Sequence, residues 1–181
     1  GAALLEGLAG QGMTARVVTN SIQVTDVPLV HAGYVRYRPG LLAAGVQLFE
    51  ARPLDGTRDE ARKLGQTKFS GGGESVHAKA FAIDNRIFFV GSFNLDPRSA
   101  FLNCEMGFVI DSPELATAFS NTLDTRLPEA SYRVTLEDDE HIAWTSVADG
   151  RESTEYSEPG TGILSRAVVT FFSILPLEWL L

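Results

Sequence analysis

Apolar residues recur in short blocks along the chain, separated by stretches rich in Gly, Pro, Asp and Asn. The most regular stretch is 76–94, VHAKAFAIDNRIFFVGSFN, where two apolar blocks flank the pair Asp84–Asn85. Two apolar runs joined by two turn-forming residues are typical of a β-hairpin. The pattern therefore predicts a buried strand pair in the middle of the chain.

The other blocks predict strands that precede and follow helices. We expect helices over 2–9, 28–44 and 113–127, strands over 15–19, 46–50 and 103–110, and an antiparallel meander over 131–157. Such an order is typical of an α/β protein with a mixed β-sheet flanked by helices. The prediction is a domain over 1–160, followed by an apolar segment over 161–181.

The hairpin pattern also predicts which side chains lie together. If residue 83 faces residue 86 across the turn, His77 lies opposite Ser92. Alternate residues of a strand point to the same face, so Lys79 and Asn94 join them. The sequence thus places an imidazole, an ammonium, a hydroxyl and a carboxamide on one side of the hairpin.

These four groups suit a bound phosphate. Lys79 supplies positive charge, Ser92 and Asn94 supply neutral donors, and His77 can attack phosphorus or transfer a proton. For any one of these residues, a core hairpin with satisfied polar groups is the alternative. The complete set favours a phosphate site.

Composition narrows the class of protein. With 181 residues and 44% hydrophobic content, the chain is long enough for one folded domain. A net charge of −8 argues against nucleic acid as the partner, because nucleic-acid-binding proteins usually carry a basic surplus. The single cysteine, Cys104, excludes an internal disulfide and is interpreted as a core residue.

The last stretch, 163–181, is strongly apolar but contains Arg166, Pro176 and Glu178. It is short for a membrane-spanning helix. Two interpretations stay open: a terminal helix packed in the core, or an interfacial helix with Trp179 near lipid head groups.

The spacing H-x-K-x4-D-x6-G-S-x-N, formed by His77, Lys79, Asp84, Ser92 and Asn94, resembles the signature of the phospholipase D superfamily without a gap. The segments TNS, VHAGYVRYR, GSFNLDPRSAFLNCEMGFVIDSP and LPLEWLL resemble the bacterial cardiolipin synthase C-type branch, in its C-terminal half. The resemblance covers nearly the whole chain. It implies one half of a two-motif enzyme with an α/β/α sandwich fold.

The resemblance also implies a mechanism that needs no metal or other cofactor. Two such motifs meet at one site; one histidine forms a phosphohistidine and the other protonates the leaving alcohol. His77 would be the general acid/base, and Lys79 and Asn94 would bind phosphate oxygens with Ser92 nearby. Asp84, at the turn, would have a supporting role, and Glu105 would orient His77 through a hydrogen bond.

Three further residues are candidates for substrate contact. Asn20 and Ser21 follow a predicted strand, at the end where ligands bind in α/β sheets. His31 lies in the branch-specific HAGY segment; it either reaches the mouth of the site or packs between helices.

The sequence contains one HxKxxxxD motif, and it begins without Met and without the basic region of a signal peptide. We interpret it as the C-terminal part of a longer enzyme, peripheral on the cytoplasmic face of the cytoplasmic membrane and acting on phosphatidylglycerol-like lipids. Its partner would be an N-terminal half with the first motif, or a second copy of the chain. A homodimeric phosphodiesterase or nuclease, phospholipase D hydrolysis, and a non-enzymatic binding domain stay open as alternatives.

Overall fold

The structure is a computed structural model that describes residues 1–25, 28–53, 76–138 and 141–162. The described helices are α1 (Ala2–Gly10), α2 (Pro28–Val35), α3 (Arg38–Ala43), α4 (Pro97–Phe101) and α5 (Pro113–Ala130). The described strands are β1 (Arg16–Asn20), β2 (Gln47–Ala51), β3 (Lys79–Ile83), β4 (Ile87–Gly91), β5 (Gly107–Asp111), β6 (Ser131–Leu136), β7 (Ile142–Ala148) and β8 (Arg151–Glu155).

The described strands form two sheets. The larger has the order β1-β2-β6-β7-β8, with β1 and β2 parallel and the remaining pairs antiparallel. The smaller is antiparallel, with the order β3-β4-β5. The α/β class with mixed strand directions and flanking helices is confirmed, and the predicted meander corresponds to β6, β7 and β8.

The main hydrophobic core lies on the five-stranded sheet, where α3 packs against β2 and β6. Side chains from the helix, from the segment before β2 and from three strands meet there: Leu41, Val46, Leu48, Tyr132, Val134 and Trp144. Complete burial of a large apolar side chain contributes about 1.5–3 kcal/mol. This core therefore stabilises the five-stranded sheet, to which β1 belongs.

The predicted helix over 28–44 is wrong as a single element, because it is divided into α2 and α3. The division follows from Pro39, which lacks a backbone N–H and whose ring would clash with the carbonyl of Val35 in a continuous helix. The chain turns between the two helices, with the amide of Tyr37 donating to the carbonyl of Tyr34 at 2.9 Å.

Helix α5 contacts strands of both sheets: β3 and β4 of the smaller one, and β2, β6 and β7 of the larger one. Its first turn is capped by Ser112, whose Oγ accepts a hydrogen bond from the amide of Leu115 at 3.3 Å. The ring of Phe119 meets that of Phe88 on β4 at a centroid distance of 5.3 Å. The helix thereby joins the two sheets.

The hairpin forms at the predicted turn. Asp84 and Asn85 have φ values of 51° and 50°, and the amide of Arg86 donates to the carbonyl of Ile83 at 3.0 Å. Positive φ at both central residues is the conformation of a type I′ turn. The predicted position of Asp84 in this turn is confirmed.

The predicted register is wrong by one residue, because Ile83 faces Ile87 instead of Arg86. Arg86 is an extra residue on the β4 side: its carbonyl accepts a hydrogen bond from the amide of Ser112 at 2.9 Å. One extra residue in a strand shifts every later pairing by one position. Lys79 therefore faces Gly91, and Ser92 does not lie opposite His77.

The apolar segment over 163–181 lies outside the described residues, as does most of the loop before the hairpin. Among the helices that the structure describes, none combines the length and apolarity needed to cross a membrane.

Candidate active site

The candidate site lies at one end of the three-stranded sheet, where Lys79, Gly91 and Gly107 face one another across β3, β4 and β5. The ring of Phe89 packs against both glycines. A Cβ atom added at Gly107 would lie 2.5 Å from Cζ of Phe89. A side chain at Gly107 would therefore displace the ring. The ammonium of Lys79 donates to the carbonyl of His77 at 2.8 Å.

Ser92 extends the pairing of β4 and β5 beyond the ends of the strands. Its amide donates to the carbonyl of Met106 at 2.8 Å, and its Oγ accepts from the amide of Met106 at 3.1 Å. These two bonds hold Ser92 against the segment that precedes β5. Its hydroxyl proton is left to donate to the carboxylate of Glu105.

Three side chains hold the carboxylate of Glu105. Its Oε2 lies 2.5 Å from Ser92 Oγ, and its Oε1 accepts from Ser99 Oγ at 3.1 Å and from Asn103 Nδ2 at 3.2 Å. The hydrogen bond from Ser92 lowers the pKa of Glu105, burial opposes it, and the bonds from Asn103 and Ser99 and the charge of Lys79 lower it further. The lowered pKa keeps Glu105 ionised at neutral pH.

Helix α4 supplies Ser99 to this cluster. Asp96 caps the helix, with its Oδ1 accepting from the amide of Ser99 at 2.7 Å, and Pro97 follows at the first position. Ser99 is buried, whereas Asn103 is exposed and also accepts from Arg98 Nε at 3.3 Å. Ser99 and Asn103 were not among the predicted site residues, although the capping sequence Asp-Pro-Arg-Ser indicates a short helix there.

His77 and Asn94 are exposed and flank this cluster in sequence. Within the described ranges, neither side chain is hydrogen-bonded to Lys79, Ser92 or Glu105. The predicted bond between Glu105 and His77 is therefore absent, because the oxygens of Glu105 are taken by the nearer donors of its own loop and of Ser92. The structure joins Ser92 to Glu105, places Lys79 on the neighbouring strand opposite Gly91, and leaves His77 exposed.

Asn20, at the end of β1, bonds to the backbone immediately before His77. Its Nδ2 donates to the carbonyl of Val76 at 3.2 Å, and its Oδ1 accepts from the amide of Val76 at 2.8 Å. Ser21 is completely buried. No part of its side chain is accessible in this structure, and its role as a substrate contact stays a prediction.

His31 is only 3% exposed and does not reach the mouth of the site. Its Nδ1 lies 3.3 Å from the carbonyl oxygen of Asn20, and its Nε2 lies 2.6 Å from Glu158 Oε1. Because a carbonyl oxygen can only accept, Nδ1 is the donor in the first bond. Its proposed contact with substrate is therefore replaced by packing within a buried polar cluster.

A buried ionic cluster surrounds Arg38, which the sequence analysis missed. Arg38 Nε lies 2.8 Å from Glu50 Oε1, and its Nη2 donates to Glu158 Oε1 at 2.9 Å. Glu50 also accepts from Tyr34 Oη at 2.9 Å and from Trp144 Nε1 at 3.1 Å. The charge of Glu50 within the apolar strand LFEA was the sequence signal for such a cluster.

The pKa values in this cluster reflect burial and pairing. Burial raises the pKa of Glu158, but the hydrogen bond from His31 and the charges of Arg38 and His31 outweigh it and lower the pKa to about 2. Burial, followed by the charge of Glu50, raises the pKa of Tyr34 well above its ordinary value. Glu158 is therefore a carboxylate at neutral pH, and Tyr34 is a neutral hydrogen-bond donor.

Within the described ranges, no three His, Cys, Asp or Glu side chains are grouped in a way that could hold a metal ion. The polar groups at the candidate site are instead a lysine, hydroxyls, amides and one carboxylate, together with the exposed imidazole of His77. Such groups bind and protonate an oxyanion through hydrogen bonds and charge.

The chain is similar to known proteins along its whole length. The family model described as cardiolipin synthase, phospholipase D-like domain, matches residues 1–127. Cardiolipin synthase C of Escherichia coli is 40% identical over 182 aligned residues, which cover 100% of this chain and 38% of that protein. Two uncharacterized proteins of Helicobacter pylori are 28% and 27% identical over 92% of the chain. No solved structure gives a significant match.

The mixed α/β fold, with sheets flanked by helices, is consistent with a phospholipase D-like protein, as the sequence resemblance implied. The chain belongs to the cardiolipin synthase, phospholipase D-like domain family. It spans about a third of the length of the curated relatives that it matches.

Proposed function

We propose that this chain supplies the second HxKxxxxD motif of a phosphatidyltransferase that makes cardiolipin. A histidine outside this chain attacks the phosphorus of a phosphatidyl donor and forms a phosphohistidine, while His77 protonates the departing alcohol. The acceptor hydroxyl of a second lipid then attacks the phosphohistidine, and His77 removes its proton. In the first step the bond from phosphorus to the departing alcohol breaks and a phosphorus–nitrogen bond forms. In the second step that phosphorus–nitrogen bond breaks and a bond from phosphorus to the acceptor oxygen forms.

Lys79 and Asn94 hold the phosphate oxygens in this proposal. The ammonium of Lys79 rests on the carbonyl of His77, and an incoming phosphate would offer it a charged acceptor in place of that neutral one. The charge that develops on the phosphate oxygens in the transition state makes this contact stronger there than in the ground state. Asp84, in the exposed turn, supports the hairpin and does not touch substrate.

One observation carries the proposal: Ser92 binds Glu105 at the end of the three-stranded sheet where Lys79 faces Gly91, and His77, two residues before Lys79, is exposed. In this arrangement Glu105 holds Ser92 by a hydrogen bond. This bond replaces the orienting bond to His77 that we expected Glu105 to make.

The proposed partners follow from the single motif. The nucleophilic histidine comes from another segment of a longer protein or from a second copy of this chain. The substrates are phosphatidylglycerol-like lipids, and the enzyme works as a peripheral protein on the cytoplasmic face of the membrane. No cofactor enters the proposed steps, since histidine supplies both the covalent link and the proton transfer.

The test uses the full-length protein with vesicles of labelled phosphatidylglycerol, and measures cardiolipin and phosphatidic acid by mass spectrometry. We expect His77→Ala to lower the rate of cardiolipin formation by roughly 10²–10⁴-fold, the usual contribution of a general acid/base. Lys79→Ala should lower it by about 10²–10³-fold. His141→Ala, the same substitution at an exposed histidine outside the site, serves as the control.

Near-normal turnover by His77→Ala would refute the assignment. Phosphatidic acid as the main product would indicate hydrolysis instead of transfer. Cleavage of a nucleic-acid phosphodiester by a dimer of this chain, with no lipid product, would favour the nuclease alternative.

A further inference from the structure

We propose that Asn20 is a positioning residue that fixes His77 through the backbone of Val76. This inference rests on the proposed function, because it assigns a catalytic consequence to a contact next to the histidine. Asn20 was first interpreted as a substrate contact. Its side chain is instead turned toward Val76, and one of its two bonds there is the 2.8 Å contact from the Val76 amide.

The contact uses both ends of the side-chain amide. Oδ1 of Asn20 accepts from the amide of Val76, and Nδ2 donates to the carbonyl of the same residue at 3.2 Å. An asparagine amide thus pairs with Val76 as a neighbouring strand would, with one donor and one acceptor. No other residue type of this length offers both groups, since aspartate lacks the donor and alanine lacks both.

Val76 needs this support because strand β3 begins only at Lys79. The residues from Val76 to Ala78 precede the ladder and are exposed. The backbone of His77 otherwise meets the ammonium of Lys79, a long side chain with many rotamers. The bonds from Asn20 therefore restrict the peptide unit that leads directly into His77.

Asn20 is itself held in place by the larger sheet. It is the last residue of β1 and faces Ala51 of β2 in the parallel ladder. Its carbonyl accepts a hydrogen bond from His31 Nδ1, and the opposite nitrogen of that ring lies 2.6 Å from Glu158. Because His31 is buried, the contact with Val76 starts from a rigid support.

The link joins parts of the fold that strand pairing leaves separate. Asn20 belongs to the five-stranded sheet, whereas Val76 leads into the three-stranded sheet. The two residues are 56 positions apart in the chain. Local sequence therefore cannot fix the position of His77 relative to the larger sheet, and this bridge can.

The experiment compares wild type, Asn20→Ala and Asn20→Asp in the full-length protein, with Arg16→Ala as the control. Arg16 is at the other end of the same strand and forms an exposed ion pair with Asp124, so its loss leaves the bridge intact. Two properties are measured: kcat and KM for cardiolipin formation from phosphatidylglycerol vesicles, and hydrogen–deuterium exchange of peptides covering Val76.

We expect Asn20→Ala to lower kcat by about 10–100-fold with little change in KM, because a misplaced catalytic group loses orientation and not substrate binding. Exchange at Val76 should become faster, while exchange in the rest of β1 stays unchanged. Asn20→Asp keeps the acceptor for the Val76 amide and should lie between wild type and Asn20→Ala. It also carries the test if Asn20→Ala does not fold.

Unchanged kcat, or unchanged exchange at Val76, would overturn the inference. A raised KM with normal kcat would also overturn it, and would restore Asn20 as a substrate contact. A wild-type protein without lipid or phosphodiester turnover would instead defeat the proposed function, and the exchange data would still decide whether the bridge forms.

Discussion

The hydroxyl of Ser92 donates a hydrogen bond to the carboxylate of Glu105 over 2.5 Å, and this bond joins the end of β4 to the segment that precedes β5. It is the largest contribution to the lowered pKa of Glu105, ahead of the bonds from Asn103 and Ser99 and the charge of Lys79. The negative charge of Glu105 is thus maintained mainly by a neighbouring hydroxyl.

The first prediction concerns this pKa. Removal of the hydroxyl in Ser92→Ala takes away a bond to the charged form, so the pKa of Glu105 should rise toward the ordinary value for glutamate. Glu105 would then become protonated at a higher pH than in wild type. A carbon-13 NMR titration of the Glu105 side-chain carboxyl in each protein measures the shift.

Ser120→Ala is the matched control, because the Ser120 hydroxyl bonds to Asn85 and to the carbonyl of Ala116 on helix α5, outside the candidate site. It should leave the Glu105 titration as in wild type. An identical Glu105 titration in wild type and Ser92→Ala would contradict the prediction.

The second prediction is a loss of stability in acid that depends on Glu158. Its pKa is about 2 in the folded protein, below the ordinary 4.5. A lowered pKa stabilises the fold above the ordinary value, and the stabilisation is lost as pH falls toward the folded value. The difference corresponds to about 3 kcal/mol. Urea unfolding between about pH 5 and pH 2 should show Glu158→Gln losing less stability than wild type.

Glu152→Gln provides the comparison, because Glu152 is an exposed carboxylate on β8 and carries the same substitution. It should follow the wild-type dependence on pH. Parallel curves for wild type and Glu158→Gln would mean that the carboxylate of Glu158 gains nothing from His31 and Arg38.

The third prediction compares two arginines that both pair with a carboxylate. Arg38 is 2% exposed and lies between Glu50 and Glu158. Arg38→Met would leave buried carboxylates without their cation, so the free energy of unfolding should fall by about 3–5 kcal/mol. The midpoint of urea unfolding at constant slope measures this loss.

Arg86→Met is the same substitution in an exposed pair with Asp111, where the side chains are 67% and 56% accessible. Exposed pairs contribute about 0–1 kcal/mol, so this variant should unfold near the wild-type midpoint. Equal losses from the two substitutions would show that burial does not decide the contribution of Arg38.

The sequence predicted the elements that depend on local signals. The turn at Asp84–Asn85 and the meander were recognisable because turn and alternation patterns act over a few residues. The break between α2 and α3 also has a local signal, because Pro39 cannot continue a helix. The shifted register of the hairpin has no local signal in the sequence, because the position of Arg86 depends on its hydrogen bond with Ser112, which lies outside the hairpin.

The candidate site was predicted in its residue types and less well in its contacts. The family resemblance named Lys79, Ser92 and Glu105, and the structure joins Ser92 to Glu105. Two sets of hydrogen bonds depend on how separate loops pack in three dimensions, which the spacing of residues in the sequence does not determine. These are the bonds of Glu105 with Ser99 and Asn103, and the bond of Asn20 with Val76. Burial of His31 likewise depends on Glu158, which is 127 residues away.

Helix α5 packs against both sheets, and this has a consequence for variants found far from the motif. Packing through one rigid helix couples the hairpin to the five-stranded core, so a cavity in the core is transmitted to the strands that carry Lys79 and Gly91. Loss of turnover in a variant of Leu127 or Trp144 would then report a displaced framework. Ordinary core residues would thereby act indirectly on the proposed turnover.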